Sequence, residues 1–316
     1  MKKNIVPIQT ILISKNMIEQ RIDNFLIKKI KKIPKSFIYK IIRKGKVKIN
    51  EKKILPKYKL KIGDVIKIPS MKMEKKNENS ISIEKMREIF NLKGKILYED
   101  NFLLIINKPS GIAVHGGTGL RFGIIENLRL LYPNYSYLEL VHRIDKLTSG
   151  VLMIAKKRST LRNLHKQIRE KKIKKQYLAL VHGHWKKYKS IISVPLQKKK
   201  NKNVKNPVFV HKQGKISETK FQVKKYYKNC TLMIITPKTG RTHQIRVHSA
   251  HAGHPIIFDE CYGKPELDKN FLFLNEKKSL FLHAKKVCFL HPNIKKKLFI
   301  SAPIEKRFQS SLLKLI

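Results

Sequence analysis

Residues 142–150, with the sequence HRIDKLTSG, constrain the fold of this chain more than any other segment. They place one carboxylate, Asp145, between two cations, and the Thr-Ser-Gly that closes the segment interrupts any helix that begins before it. The apolar run at 151–155 predicts a buried strand that would hold this loop still. An aspartate in such a loop is often only a solvated turn residue. Here the pattern predicts a reactive carboxylate on a rigid support.

Three segments of the chain, in order, resemble the motifs of one enzyme family. Residues 142–150 resemble the His-Arg-Leu-Asp-x-x-Thr-Ser-Gly signature of the pseudouridine synthases that act on ribosomal RNA and certain transfer RNAs. Residues 175–181 (KQYLALV) and 240–248 (GRTHQIRVH) resemble two further motifs of that family. Shorter matches, such as Asn107 to Gly111, extend the resemblance over nearly the whole chain. Many family members have Asp where this chain has Leu147, which leaves the rigidity of the loop in question.

The resemblance implies roles for individual residues. Asp145 would be the catalytic carboxylate, which either attacks a sugar or base carbon or abstracts a sugar proton. Tyr177 would stack on the uracil, with its hydroxyl towards the proton lost from C5, and Arg246 would pair with Asp145. Arg143 would fill the space that the flipped uridine leaves. Three further residues are predicted to contact RNA: His142, Arg241 and His243.

The charge of the chain points to a polyanionic partner. Lysine and arginine number 71 against 21 acidic residues, which gives a net charge of +50. Nucleic acid is the leading candidate, because each neutralised phosphate releases bound counterions. Lysine, isoleucine and asparagine are abundant throughout, however, so part of the charge is attributable to a bias towards A/T-rich codons.

Metal and disulfide chemistry are not indicated. Three cysteines lie far apart without C-x-x-C spacing, which favours a reducing cytoplasm. His248, His251 and His254 recur every three residues, but without a neighbouring cysteine or carboxylate cluster they are better read as structural or RNA-facing. The expected rearrangement is an isomerisation, so we expect no cofactor and no metal.

The N-terminal part predicts a small RNA-binding module. Residues 1–19 are predicted to be an extension, 20–70 a module of two helices and short strands that resembles the S4 domain, and 71–94 a polar linker. Apolar residues at 22, 25, 26 and 30 recur at helical spacing, and the second helix lies between Pro34 and Gly45. Where many S4 domains have Asn-Gly in the turn after the first strand, this chain has Asn50-Glu51. A different turn or a modest strain cost is therefore expected.

Residues 95–316 predict an α+β catalytic domain. Strands alternate with few helices, of which one is predicted to be capped by Ser159 and another by Thr242. The resemblance implies the pseudouridine synthase fold, a mixed and mostly antiparallel sheet with a cleft across it. Predicted strands cover residues 95–98, 103–106, 151–155, 177–181, 220–224, 232–236, 280–282 and 298–301.

The favoured function is the isomerisation of specific uridines in 23S ribosomal RNA by a cytoplasmic monomer that binds RNA and no membrane. Transfer RNA and other ribosomal RNA are alternative substrates. Two other classes stay open: an RNA-binding ribosome-assembly factor without activity, and a ribonuclease that uses His142 and His243. Which uridines would be modified is not encoded in any motif, because RNA is recognised largely by shape.

Overall fold

The computed structural model describes residues 4–6, 8–14, 17–30, 35–73, 94–116, 123–188, 190–199, 207–274 and 279–315. The chain forms two compact units, residues 1–80 and 81–316. Most of the predicted linker lies outside the described residues. In the described parts of the chain, no helix is both long and apolar enough to cross a membrane.

The first unit packs two helices on a small sheet. Buried Ile22 and Leu26 on the first helix and Ile38 and Ile42 on the second form one apolar cluster with the sheet, as the helical spacing predicts. The elements are β1 (Asn4–Val6), β2 (Gln9–Leu12), α1 (Ile22–Lys29), α2 (Lys35–Arg43), β3 (Lys48–Ile49), β4 (Lys52–Lys53), β5 (Val65–Ile68) and β6 (Met71–Met73). The strands of the sheet run in the order β2-β5-β3-β4, and β1 pairs with β6.

The turn between β3 and β4 has the geometry of an Asn-Gly turn without its glycine. Asn50 has a φ of 48° and Glu51 a φ of 63°, and positive φ at both central residues is what a type I′ turn requires. Asn50 anchors the turn, because its Oδ1 accepts from the Val65 N–H at 2.8 Å and its Nδ2 donates to Asp64 at 3.0 Å. Glu51 forms an ion pair with Lys67. Of the two options that the sequence left open, the structure has the strained one.

The second unit is built on a mixed sheet of ten strands in the described residues. The strands are β7 (Ile96–Glu99), β8 (Leu103–Lys108), β9 (Glu139–Leu140), β10 (Ser149–Ala155), β11 (Lys174–His182), β12 (Ile191–Ser193), β15 (Glu218–Tyr227), β16 (Cys230–Pro237), β17 (Leu282–Leu290) and β18 (Lys297–Ser301), beside a separate pair β13 (Leu196–Lys198) and β14 (Val208–Val210). Their order in the sheet is β12-β15-β16-β11-β17-β10-β8-β7, with β18 paired to β17 and β9 paired to β10. Only the pairing of β10 with β17 is parallel among the described strands, so the predicted mostly antiparallel sheet is confirmed.

The helices of the second unit begin at other residues than the two predicted caps. Ser159 lies inside α4, whose N-cap is Lys157, because the Leu161 N–H already bonds to the Lys157 carbonyl. Thr242 precedes the true N-cap of α5, His243, which has a φ of 52°. The helices are α3 (Ile124–Leu131), α4 (Arg158–Arg169), α5 (Gln244–His251), α6 (Pro265–Asp268) and α7 (Lys306–Leu313), with a 3-10 helix at Lys269–Leu274.

Gly150 allows the central strand to approach its parallel neighbour. Its φ is +105°, and a Cβ at this position would lie 2.2 Å from the carbonyl oxygen of Ala284 on β17. Neither the conformation nor the contact is open to another residue. Strand β10 is buried along its whole length. It therefore anchors the end of the loop that precedes it, as the apolar run predicts.

Candidate active site

Asp145 lies in the loop between β9 and β10, and three neighbouring groups hold the backbone of that loop. The Lys146 carbonyl accepts from Lys108 Nζ at 3.0 Å and from the Gly111 N–H at 3.0 Å. The Leu147 carbonyl accepts from the Ser110 hydroxyl at 2.7 Å. The Leu147 side chain packs against the main core. The loop is therefore fixed by backbone contacts on both sides of Leu147.

Lys108 is a buried residue that the sequence analysis did not single out. It ends β8, is fully buried, and its Nζ donates to the carbonyls of Pro109, Ile112 and Lys146 at 2.8–3.0 Å. Burial lowers the pKa of this lysine to about 7, although the charges of Glu305 and Asp145 act in the opposite direction. The signal in the sequence was a lysine that directly follows an apolar strand and precedes Pro-Ser-Gly.

Arg246 lies between two carboxylates. Its Nε and Nη2 donate to Asp259 Oδ2 and Oδ1, both at 2.7 Å, while its Nη1 is 3.5 Å from Asp145 Oδ2. The predicted pair with Asp145 is present, but the shorter bonds go to Asp259. Burial alone would lower the pKa of Arg246, and the hydrogen bonds to Asp259 together with the charges of both carboxylates raise it above its ordinary value. The guanidinium is therefore a fixed positive charge.

Asp259 is the second residue that the sequence analysis missed as part of this site. Its side chain is fully buried, and Oδ1 also accepts from the N–H groups of Cys261 and Tyr262 at 2.9 and 3.0 Å. The preceding residue, Phe258, has a φ of 60°, which is unusual for a bulky residue. Nothing in the local sequence pattern of Asp259 relates it to Arg246.

His243 is positioned by Tyr262 and approaches Asp145. Its Nδ1 is 2.9 Å from the Tyr262 hydroxyl, and its Nε2 is 3.8 Å from Asp145 Oδ2. The tautomer with a proton on Nε2 suits both contacts, because the hydroxyl then donates to Nδ1 and an N–H faces the carboxylate. Burial lowers the pKa of His243, and the Asp145 charge opposes that shift.

Tyr177 lies on β11, in the main core beside the cleft, and is 8 % exposed. Burial raises the pKa of its phenol, and the negative charge of Asp145 adds to the increase. The hydroxyl therefore stays protonated at neutral pH and cannot serve as a base in that state. The ring offers an apolar plane, and the O–H offers a hydrogen-bond donor, to a group bound in the cleft.

The other three predicted RNA contacts line the same cleft in different ways. Arg143 is exposed. Arg241 is exposed as well, and its Nε donates to the Ile216 carbonyl at 3.1 Å. His142 instead accepts from the Met153 N–H through Nε2 at 3.2 Å, and burial together with the charge of Lys175 lowers its pKa to about 3. His142 is thus a neutral imidazole that supports the loop.

The cleft that these residues line has a volume of about 410 Å³. Asp145 is the sole acidic side chain among the described residues that line it, while Arg143, Arg169, Lys175, Arg241 and Arg246 contribute positive charge. The cleft therefore attracts a polyanion and presents it with one carboxylate. Among the described residues, no group of three or more His, Cys, Asp or Glu side chains is arranged to hold a metal ion.

Comparisons with known proteins agree with this geometry. The family model described as RNA pseudouridylate synthase matches residues 102–251, and the model for the S4 domain matches residues 20–66. Ribosomal large subunit pseudouridine synthase C of Buchnera aphidicola subsp. Acyrthosiphon pisum is 54 % identical over 99 % of both chains. The protein of the same name from Yersinia pestis is 48 % identical over 100 % of this chain and 98 % of its own.

The chain accordingly belongs to the RNA pseudouridylate synthase family and is an enzyme that isomerises uridine in RNA. Among solved structures, Human RNA Pseudouridylate Synthase Domain Containing 4 superimposes with a TM-score of 0.60 over 74 % of this chain and 98 % of its own, at 24 % identity. That similarity supports the fold of the second unit. The S4 match and the two-helix unit confirm the predicted RNA-binding module.

Proposed function

We propose that the chain isomerises specific uridines to pseudouridine in 23S ribosomal RNA, with Asp145 as the catalytic carboxylate. The observation that carries the assignment is the setting of Asp145, which lies 3.5 Å from Arg246 Nη1 and lines the same cationic cleft as the buried Tyr177. The choice of large-subunit RNA is supported by relatives about half identical over their full length that are named for that subunit. This substrate fits the proposed location of the protein in the cytoplasm.

The reaction breaks the bond from C1′ to N1, turns the uracil, and forms a bond from C1′ to C5. The hydrogen at C5 is lost and N1 gains one, so atoms balance without an oxidant or a reductant. The target uridine must first leave its stack, which costs a few kcal/mol. In the proposal, Arg143 stacks in the vacated position, and Arg241 and His243 contact the neighbouring backbone.

Each residue near Asp145 has a distinct task in this proposal. The guanidinium of Arg246 aims the carboxylate of Asp145 at the sugar, and the Nε2–H of His243 limits its rotation. The ring of Tyr177 stacks on the uracil, and its hydroxyl accepts the proton that leaves C5 as it passes its own proton to the Asp145 carboxylate. Two routes remain for Asp145: attack on carbon, or abstraction of a proton from C2′. Deuterium at C2′ slows the second route and leaves the first unaffected.

The experiment offers purified protein two RNAs labelled with tritium at uridine C5, a set of 23S ribosomal RNA fragments and bulk transfer RNA. The expected result is tritium release from the ribosomal fragments, with the strands intact. Release from transfer RNA alone would overturn the choice of substrate. Strand cleavage would favour the ribonuclease, which the engagement of His142 Nε2 by the Met153 N–H already argues against. Size-exclusion chromatography should show the proposed monomer.

A further inference from the structure

A second groove lies beside the catalytic cleft and is lined by lysines. It runs over the ends of β11, β17 and β18, with a volume of about 700 Å³, and includes Lys171, Lys174, Lys286, Lys297 and Phe299. None of the described residues that line it is acidic. Its volume falls in the range of pockets that hold small ligands, roughly 300–1,000 Å³, so it can take a short segment of a longer partner.

The strand register explains why these side chains converge. Cys288 on β17 lies opposite both Lys174 on β11 and Phe299 on β18. Lys286 lies two residues before Cys288, and Lys297 two residues before Phe299. Because side chains two residues apart point to the same face of a sheet, the three lysines surround Phe299 on one face.

Phe299 is an exposed aromatic ring that contributes to no core. It is 61 % exposed, and Lys286 Nζ lies 5.2 Å from the ring centroid. In the described part of the chain no carboxylate forms an ion pair with Lys174, Lys286 or Lys297, whereas Lys172 is paired with Glu170 at 2.8 Å. Unpaired ammonium groups around an aromatic plane match a nucleic acid strand, whose phosphates bind the lysines while a base stacks on the ring.

The groove and the catalytic cleft share one lining residue. Lys175 lines both, and burial lowers its pKa. The two cavities therefore adjoin at Lys175, which lets one RNA strand contact both. We propose that the groove binds single-stranded RNA next to the target uridine, with one base stacked on Phe299 and the backbone on Lys174, Lys286 and Lys297. The inference rests on the proposed function and adds a second contact for the same substrate.

The test compares two RNAs, a short hairpin that presents the target uridine and the same hairpin extended at both ends by single-stranded adenosines. Wild-type protein should bind the extended RNA more tightly. Phe299→Ala should lose roughly 5- to 150-fold of that affinity, as expected for one stacked base, and should bind the short hairpin as wild type does. The matched control is Phe273→Ala, because Phe273 is 55 % exposed and lines neither the groove nor the cleft.

The lysines are tested by the salt dependence of binding. Replacing Lys174, Lys286 and Lys297 together by Gln should lower the log–log salt slope by about 2 for the extended RNA, since each phosphate contact on a single strand contributes about 0.7. The short hairpin should keep its slope. The control triple replaces exposed lysines outside both sites, at Lys212, Lys228 and Lys269, and should leave the difference between the two RNAs intact.

The proposal is overturned if the extension adds no affinity to wild type, or if Phe299→Ala and Phe273→Ala retain the same gain. It is also overturned if an oligoglutamate peptide, which carries charge without bases, binds the groove more tightly than the RNA extension and depends on Phe299. Tritium release from the short hairpin needs only the cleft. A failed isomerase and a failed groove therefore give different results.

Discussion

Replacing Asp259 by Asn separates its two tasks at the site. Oδ1 accepts from Arg246 Nη2 and from the N–H groups of Cys261 and Tyr262, whereas Oδ2 accepts only from Arg246 Nε. An Asn whose carbonyl replaces Oδ1 keeps the first three bonds. Its NH₂ group then faces the Nε–H, donor against donor. The local turn is preserved, and the bidentate hold on Arg246 is lost.

The cost follows from the burial of the pair. Arg246 is 4 % exposed and Asp259 is fully buried. One hydrogen bond to a charged group contributes about 1.5–3 kcal/mol, and a buried charge left without its partner costs about 3–5 kcal/mol. Asp259→Asn should therefore lower the free energy of unfolding by about 1.5–5 kcal/mol. Arg246 should also turn towards Asp145, and a misplacement of about 1 Å at reacting groups costs roughly 100-fold in rate.

The assay is single-turnover tritium release at saturating RNA, combined with a double-mutant cycle. Asp259→Asn should reduce the rate roughly 100-fold and leave the RNA dissociation constant unchanged. In an Arg246→Met background the same substitution should cost little further rate, because Asp259 acts through Arg246. An equal loss of rate in both backgrounds would refute this reasoning, as would full activity of Asp259→Asn.

Three further predictions concern groups around the site. Burial lowers the pKa of His283 to about 4, so the contribution of its neutral form to stability is complete above pH 6.5 and is lost as the pH falls towards 4. His283→Gln should therefore remove roughly 3 kcal/mol of the loss of unfolding free energy over this pH range, measured by urea titration. An unchanged pH dependence of stability would contradict this prediction. Tyr177→Phe should keep RNA affinity and slow the release of the C5 proton, whereas unchanged release kinetics would exclude a role for the hydroxyl. Arg143→Lys should keep the salt slope of binding and reduce the single-turnover rate, because an ammonium lacks the planar surface of a guanidinium; a wild-type rate would count against stacking.

The elements with a strong periodic pattern could be predicted from the sequence. The helical spacing in α1 and the apolar run of β10 each correspond to a buried face, because burial of apolar groups decides both the periodicity and the packing. Helix starts were less predictable. His243 begins α5 in a left-handed conformation and contacts Tyr262, and no local preference for Ser or Thr at helix starts reveals this.

The candidate site also contains residues that the sequence predicts and residues that only the structure reveals. Asp145, Tyr177 and Arg246 lie in recognisable motifs, and the fold brings them to one cleft. Lys108 and Asp259 lie outside those motifs in the sequence but contact motif residues in space, since Lys108 donates to the Lys146 carbonyl next to Asp145 and Asp259 accepts from Arg246. Such supporting contacts depend on the tertiary arrangement of several strands. The sequence offers only a weak local signal for Lys108, a lysine between an apolar strand and Pro-Ser-Gly, and none for Asp259.

The most direct test of the account is the tritium release of Asp145→Asn in a single turnover, measured beside RNA binding. The substitution keeps the shape of the side chain and an oxygen for Arg246 while removing the charge. If Asp145 attacks carbon, we expect no detectable release, and if it acts only as a base, we expect a loss of about 10²- to 10⁴-fold. The RNA affinity should be unchanged in both cases. Release within about ten-fold of the wild-type rate would contradict it.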